Sequence, residues 1–140
     1  MFSKTYEDRL RAWNEFRNSL EKSDNPIQQA IENYRKAPKV RIHTDPWTPE
    51  MWPSPWELVE ENQYCEFCKL LGICYSLQLT DRFSQSNFEI HIGIDTQDSN
   101  TYYLLFVDNF VIGYDDEYIL RSELPASIRS QKQYPMPKLS

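Results

Sequence analysis

Apolar side chains recur at helical spacing through the first 38 residues. The first stripe advances in steps of four, three, three and four, which predicts an amphipathic helix. Its members are Tyr6, Leu10, Trp13, Phe16 and Leu20. A second helix is predicted where Asp24 and Asn25 precede Pro26 at a first helical position, and it stops before Pro38. Its stripe is Ile27, Ala30, Ile31 and Tyr34.

These two helices predict an N-terminal helical arm over residues 1–43. Both apolar stripes are narrow, so we expect the arm to lie on another surface. Two interpretations stay open. The arm covers the main core of its own chain, or it docks a partner.

A connector rich in proline and tryptophan follows the arm at residues 44–56. Its prolines remove amide donors and break any regular helix, so an extended path is expected. They are Pro46, Pro49, Pro53 and Pro55. Its tryptophans are Trp47, Trp52 and Trp56. Because exposed indoles are costly, we expect the connector to be clamped against its own domain or against another chain.

The sequence Ser54-Pro55-Trp56-Glu57 has the form of a capping box and predicts the start of a helix. From Cys65 to Leu79 the residues are apolar around most of a helical circumference, which is typical of a buried helix. We expect this helix at the centre of the fold. Asn62 is a candidate cap for a second helix, with Cys65 in its first turn.

From Phe88 onward, apolar residues recur at every second position. Apolar Phe88, Ile90, Ile92 and Ile94 alternate with Glu89, His91, Gly93 and Asp95. This alternation predicts a strand with one apolar and one polar face. Residues 102–107 and 110–114 read as two more strands, with Asp108-Asn109 as a tight turn between them.

Helices followed by strands, without alternation, predict an α+β fold. In this fold an N-terminal helical hairpin and a buried central helix pack on an antiparallel β-meander. We expect the α+β core over residues 44–121 and an extended tail over 122–140, where Pro125, Pro135 and Pro137 interrupt polar sequence.

Length and composition narrow the class of protein. The 140 residues suit one compact domain, and aromatic residues make up 14% of them. Apolar runs are too short for a membrane span, and the first residues lead directly into charge, so we expect a cytoplasmic protein. The three cysteines lie within ten positions, which favours reduced thiols over a disulfide framework.

Charge disfavours nucleic acid as a partner. The net charge is −6, and residues 44–64 contain five acidic residues and neither lysine nor arginine. Binding to nucleic acid draws much of its affinity from cationic side chains that neutralise phosphates. Gly72, Gly93 and Gly113 are isolated, so a glycine-rich phosphate loop is also excluded.

Three residues could form a thiol site. Cys65 is a candidate nucleophile because a helix N-terminus or a nearby imidazole stabilises a thiolate. His91 on the following strand could supply the imidazole, and Asp108 could orient it. The alternatives are that Cys65 is an inert core residue and that Asp108 serves only the turn, in which case Asp115 is the next candidate acid.

The order of Cys, His and Asp resembles transglutaminase-like members of the papain-type superfamily. Pro55-Trp56-Glu57-Leu58 before Tyr64-Cys65-Glu66-Phe67 is similar to a pattern of that family, and so is Val107-Asp108-Asn109. The resemblance covers roughly residues 53–115. It implies a papain-type fold with a Cys-His-Asp site. That site would either act on amide bonds or be degenerate.

Metal and cofactor chemistry is not expected. Cys65 and Cys68 have C-x-x-C spacing, but Cys74, His43 and His91 are the only other Cys or His residues available for a four-ligand zinc site. Glu89, His91 and Asp95 share a strand face and could hold a divalent ion. Polar residues on such a face usually contact water and bind no metal.

Two functional hypotheses follow. The first is a non-catalytic structural or interaction component of a larger protein assembly, with other subunits as partners and neither nucleic acid nor membrane. Its candidate binding residues are Trp47, Trp52, Trp56 and Tyr134. The small acidic body is similar in general appearance to virion-associated proteins of tailed phages, which suggests a virion or tail particle. The second hypothesis is a small thiol enzyme acting on amide bonds.

Overall fold

A computed structural model describes residues 1–3, 5–40 and 44–139. Within these residues the chain forms four α-helices followed by an antiparallel sheet of five strands, which confirms the α+β class. The residues form two compact units, 1–84 and 85–139. No helix of the described residues is long and apolar enough to cross a membrane.

The predicted helical hairpin is present in the first unit. Helix α1 spans Tyr6–Lys22 and is capped by Thr5, whose hydroxyl accepts the Asp8 amide at 3.2 Å. Helix α2 spans Pro26–Arg35 and begins at the predicted proline. The buried residues of both helices fall on the predicted stripes, apart from Arg9 and Pro26.

Helix α3 spans Pro55–Glu61 and starts with the predicted capping box. The Ser54 hydroxyl accepts the Glu57 amide at 3.2 Å, and the Glu57 carboxylate accepts the Ser54 amide at 3.1 Å. The buried Arg9 guanidinium donates to the carbonyls of Val59 and Glu60, each at 2.8 Å. These bonds tie α1 to the C-terminal end of α3, where helical carbonyls lack partners of their own.

The start of the buried helix differs from the prediction. Asn62 does not cap it, because Asn62 adopts a left-handed conformation (φ 51°) that ends α3 instead. Helix α4 spans Glu66–Gln78, and Cys65 itself is its N-cap residue. Every residue from Leu70 to Gln78 is buried, as predicted. The packing of this helix on the sheet stays a prediction.

The second unit is a sheet with strand order β4-β3-β2-β1-β5. The strands are β1 (Phe88–Asp95), β2 (Thr101–Val107), β3 (Phe110–Ile112), β4 (Ile119–Leu120) and β5 (Ile128–Pro135). The first three match the predicted meander. Strand β5 lies in the segment expected to be a tail, and it pairs with β1 from Ile128 to Pro135 with one register shift, between Ile92 and Gly93 of β1.

One face of this sheet is more buried than the sequence predicts. His91 and Gly93, expected on a polar face of β1, are both buried. An apolar cluster lies in the same unit, formed by Leu104, Phe106, Val111 and Ile128 with Tyr102, Tyr114, Ile119 and Leu124 packed against it. Ile119, Leu124 and Ile128 come from the chain after the predicted strands, so the covering of this face was not predictable from β1 alone.

Candidate functional site

Cys65 lies at a helix N-terminus, where a thiolate would be stabilised, but its side chain is closed off. Its sulfur accepts the Cys68 amide at 3.4 Å, and the residue is only 4% exposed. All three cysteines fall within the described residues and are thiols. Burial at this position withholds the sulfur from a substrate.

In the other two cysteines, Cys68 and Cys74, the environment favours the protonated thiol. The hydrogen bond with Cys65, together with burial, raises the pKa of Cys68, whose sulfur also lies 3.1 Å from the Thr44 hydroxyl. Burial alone raises the pKa of Cys74. A raised pKa leaves less thiolate at neutral pH and therefore a less reactive sulfur.

Asp108, the predicted acid, is not hydrogen-bonded to His91, the predicted base. Asp108 has a left-handed conformation (φ 51°) in the β2–β3 turn, and its carboxylate accepts the Asn87 amide at 2.9 Å. Both ring nitrogens of His91 are bonded to other side chains, Glu89 and Ser130. Asp108 therefore serves the hairpin. The alternative acid, Asp115, accepts the amide of the next residue at 2.8 Å and is exposed. Since Cys65 belongs to the other unit, the thiol triad as a whole stays a prediction.

The three connector tryptophans have different environments. Trp52 is clamped within its own unit, with its indole N–H on the Asp45 carbonyl at 3.1 Å and its ring 5.0 Å from that of Phe67. Trp47 remains 47% exposed and Trp56 51% exposed. Met51, between them in sequence, is 71% exposed. We refer to residues 45–57, which carry these three exposed side chains, as the tryptophan segment.

The tryptophan segment is held by a network of turns. The Asp45 carboxylate accepts the Trp47 amide at 2.9 Å and the Thr48 hydroxyl at 2.6 Å. These two hydrogen bonds, the one from Thr48 foremost, lower the pKa of Asp45. A short 3-10 helix, Pro49–Met51, follows and runs toward α3. The exposed rings are therefore presented on an ordered backbone.

The remaining candidates are the binding residue Tyr134, whose role stays a prediction, and the possible metal ligands. Tyr134 is a half-buried residue of β5 that pairs with Ile90 of β1. Across the described residues, no group of three or more metal-ligating side chains is found. His43, one of the candidate zinc ligands, lies outside the described residues.

The structure brings together a set of polar residues that sequence reasoning missed. His91 lies 2.8 Å from the Ser130 hydroxyl through Nδ1 and 2.9 Å from the Glu89 carboxylate through Nε2. Its ring stacks on Phe106 at a centroid distance of 4.0 Å. The alternation along β1 indicated that Glu89 and His91 share a face, but Ser130 comes from the predicted tail, so nothing in the local pattern linked it to them.

Comparisons with protein-family models, with curated proteins and with solved structures return no match. The resemblance to transglutaminase-like proteins accordingly stays a prediction.

Proposed function

We propose that this protein is an interaction protein that docks an apolar, basic segment of another protein chain on its tryptophan segment. The observation that carries the proposal is the exposure of Trp47, Met51 and Trp56, which is 47%, 71% and 51% within ten residues. Tryptophan and methionine are enriched at protein interfaces, and buried tryptophans dominate binding energies.

Order in the segment supports this proposal. Asp45, Thr48 and the 3-10 turn fix the backbone before any partner arrives. The Trp56 ring meets the Trp13 ring edge-on at 5.3 Å, which fixes one side of the indole and leaves the other available. A surface ordered in advance loses less conformational entropy on binding than a flexible one.

Charge in the segment selects the chemistry of the partner. Glu50 and Glu57 are exposed within it, Glu60 and Glu61 follow at once on α3, and residues 44–64 contain neither lysine nor arginine. Such a field attracts lysine and arginine on a partner and repels phosphates and anionic lipid headgroups. A peptide with apolar anchors flanked by basic residues complements both features.

The partner in this proposal is another protein subunit, in agreement with the first hypothesis from the sequence. Membership of a particular assembly, such as a tailed-phage virion, stays a prediction. The thiol-enzyme hypothesis also stays a prediction, and it is disfavoured by the burial of Cys65.

The proposal is tested by selecting a displayed library of random peptides on the full chain. We expect the enriched peptides to combine aromatic or aliphatic residues with lysine and arginine. The same selection on a Trp47→Ala/Trp56→Ala variant loses them, whereas selection on Leu120→Ala retains them. Leu120 is a matched control because it is also a large exposed apolar residue, at 44%, but lies outside the segment.

Thermal unfolding of each variant establishes whether the fold is intact, because the replaced side chains are only about half exposed and Trp56 contacts Trp13. Failure to enrich peptides of this composition, or equal enrichment on the double variant, would refute the docking function.

A further inference from the structure

We propose that Ser130, His91 and Glu89 form a nucleophile site in the second unit, in which Ser130 is acylated by esters. The site uses neither the tryptophan segment nor any cysteine, so it goes beyond the docking function. It rests on two hydrogen bonds, one between the Ser130 hydroxyl and His91 Nδ1 at 2.8 Å and one between His91 Nε2 and the Glu89 carboxylate at 2.9 Å.

The carboxylate sets the direction of both hydrogen bonds. The Glu89 side chain is 34% exposed and lies 2.9 Å from His91 Nε2, and a carboxylate can only accept a hydrogen bond. In the neutral tautomer that donates from Nε2 to this carboxylate, Nδ1 of His91 carries a lone pair. Ser130 is then the donor, with its O–H directed at Nδ1. This is the polarity that a general base needs in order to take a proton from a hydroxyl nucleophile.

Packing fixes the base and leaves the nucleophile open. His91 is 5% exposed on the interior strand β1, and its ring stacks on Phe106 at 4.0 Å with an interplanar angle of 26°. Ser130 is exposed on the edge strand β5. A rigid, shielded imidazole beside an accessible hydroxyl is the arrangement expected of a nucleophile and its base, because substrate must reach only the nucleophile.

A β-bulge is what brings Ser130 to His91. The register pairs Ile92 with Lys132 and then Gly93 with Ser130, so Gln131 is the extra residue. Without it, alternation along the strands would pair Ser130 with Ile94 and place its side chain on the opposite face. Bulges occur next to active sites, where they redirect a side chain.

The reaction is hydrolysis of an ester in two stages. The Ser130 oxygen attacks the carbonyl carbon while its proton passes to His91 Nδ1, and the tetrahedral oxyanion then collapses. The C–O bond to the alcohol breaks, and that alkoxide takes the proton from Nδ1. Water next attacks the acyl-serine with His91 again as base, which releases the acid and restores Ser130. Glu89 is a positioning residue that holds the imidazole and stabilises its protonated form.

The full-length chain is tested with a fluorophosphonate probe and peptide mass spectrometry. The Ser130 oxygen displaces fluoride from phosphorus, so a label on Ser130 is the expected product. We expect no label at this position in Ser130→Ala and at least a tenfold slower reaction in His91→Gln. The matched control is Ser122→Ala, which removes another exposed serine and should leave the rate unchanged.

A second variant keeps the test decisive if replacing the buried His91 impairs folding. Glu89→Gln preserves the shape of the side chain but removes its charge, and a thermal melt shows whether the fold is retained. We expect slower labelling and a pH midpoint of the rate that moves to lower pH, because the imidazolium loses its carboxylate. A purely structural role would leave this pH profile unchanged.

The proposal is overturned if Ser130 reacts no faster than exposed Ser122. It is equally overturned if the folded Glu89→Gln protein labels at the wild-type rate with the same pH profile. Hydrolysis of p-nitrophenyl acetate above the rate of Ser130→Ala would extend the result from acylation to turnover.

Discussion

The Ser76 hydroxyl joins the three longest helices of the first unit. It accepts the indole N–H of Trp13 at 2.9 Å and lies 3.0 Å from the Tyr34 hydroxyl. Ser76 is completely buried, and the two rings are at most 2% exposed. Each buried polar group here has another as its partner, and this arrangement keeps their desolvation from destabilising the fold.

We predict that Ser76→Ala lowers the free energy of unfolding by about 1–3 kcal/mol, since it leaves the Trp13 N–H and the Tyr34 hydroxyl without this partner. Urea denaturation followed by circular dichroism measures the loss. The control is Ser122→Ala, an exposed serine whose replacement should cost under about 0.5 kcal/mol. Equal free energies of unfolding for the two variants would show that the Ser76 hydroxyl does not stabilise the fold.

The thiols provide a second test at the scale of single residues. Because the pKa values of Cys68 and Cys74 are raised, both sulfurs carry little thiolate near pH 8, where an ordinary thiol is partly ionised. We predict slow alkylation of both by iodoacetamide in the folded protein and rapid alkylation in urea, as read by mass spectrometry. Rapid, selective labelling of Cys65 in the folded state would instead favour the thiol-enzyme hypothesis.

Residue types were easier to predict than residue partners. The sequence indicated His91 as a functional candidate, and the structure gives that residue two specific hydrogen bonds. It also indicated Asp108 as the acid, whereas the carboxylate closest to the ring belongs to Glu89, two positions along the same strand. Partners across strands depend on register and on the bulge, which local patterns do not encode.

Helix α4 shows how close packing can outweigh helical propensity. A Cβ at Gly72 would overlap the ring of Tyr34, so glycine lets α2 approach α4 closely. Alanine is the better helix former by about 1 kcal/mol, and a substitution judged on the isolated helix would appear stabilising.

We predict the opposite sign in the protein. Gly72→Ala should lower the free energy of unfolding by about 1–3 kcal/mol, because the Tyr34 ring or the helix must move. Chemical denaturation of Gly72→Ala, Tyr34→Ala and Gly72→Ala/Tyr34→Ala separates the two effects. In the double variant the clash is gone, and the added methyl should restore part of the stability relative to Tyr34→Ala. A stabilised single variant would contradict this packing.

Elements with a strong local signal were predicted well. Helix α2 begins at Pro26 and helix α3 begins after the capping box at Ser54, both as the sequence indicated. Strand β5 was missed because almost all of its residues are exposed, so it shows no alternation of apolar and polar positions. Its position is fixed by pairing with β1, which lies more than thirty residues earlier.

At the scale of the whole molecule, the two units differ in the chemistry that we propose for them. The first carries an ordered, acidic segment with exposed tryptophans, and the second carries a serine beside a fixed imidazole. The sequence predicted the tryptophans as binding residues, but it did not distinguish clamped Trp52 from exposed Trp47 and Trp56. That distinction depends on Phe67 of α4, which folding brings to Trp52.

The affinity of one selected basic, apolar peptide, measured by isothermal titration calorimetry, tests the docking claim most directly. We predict that Trp47→Ala/Trp56→Ala weakens it by about 2 kcal/mol or more, about 30-fold, while Leu120→Ala has no effect. Raising the salt from about 0.05 M to 0.5 M should weaken binding to the wild type, and less so to Glu50→Lys. Equal affinity for the wild type and the double tryptophan variant, with both folded, would contradict the account.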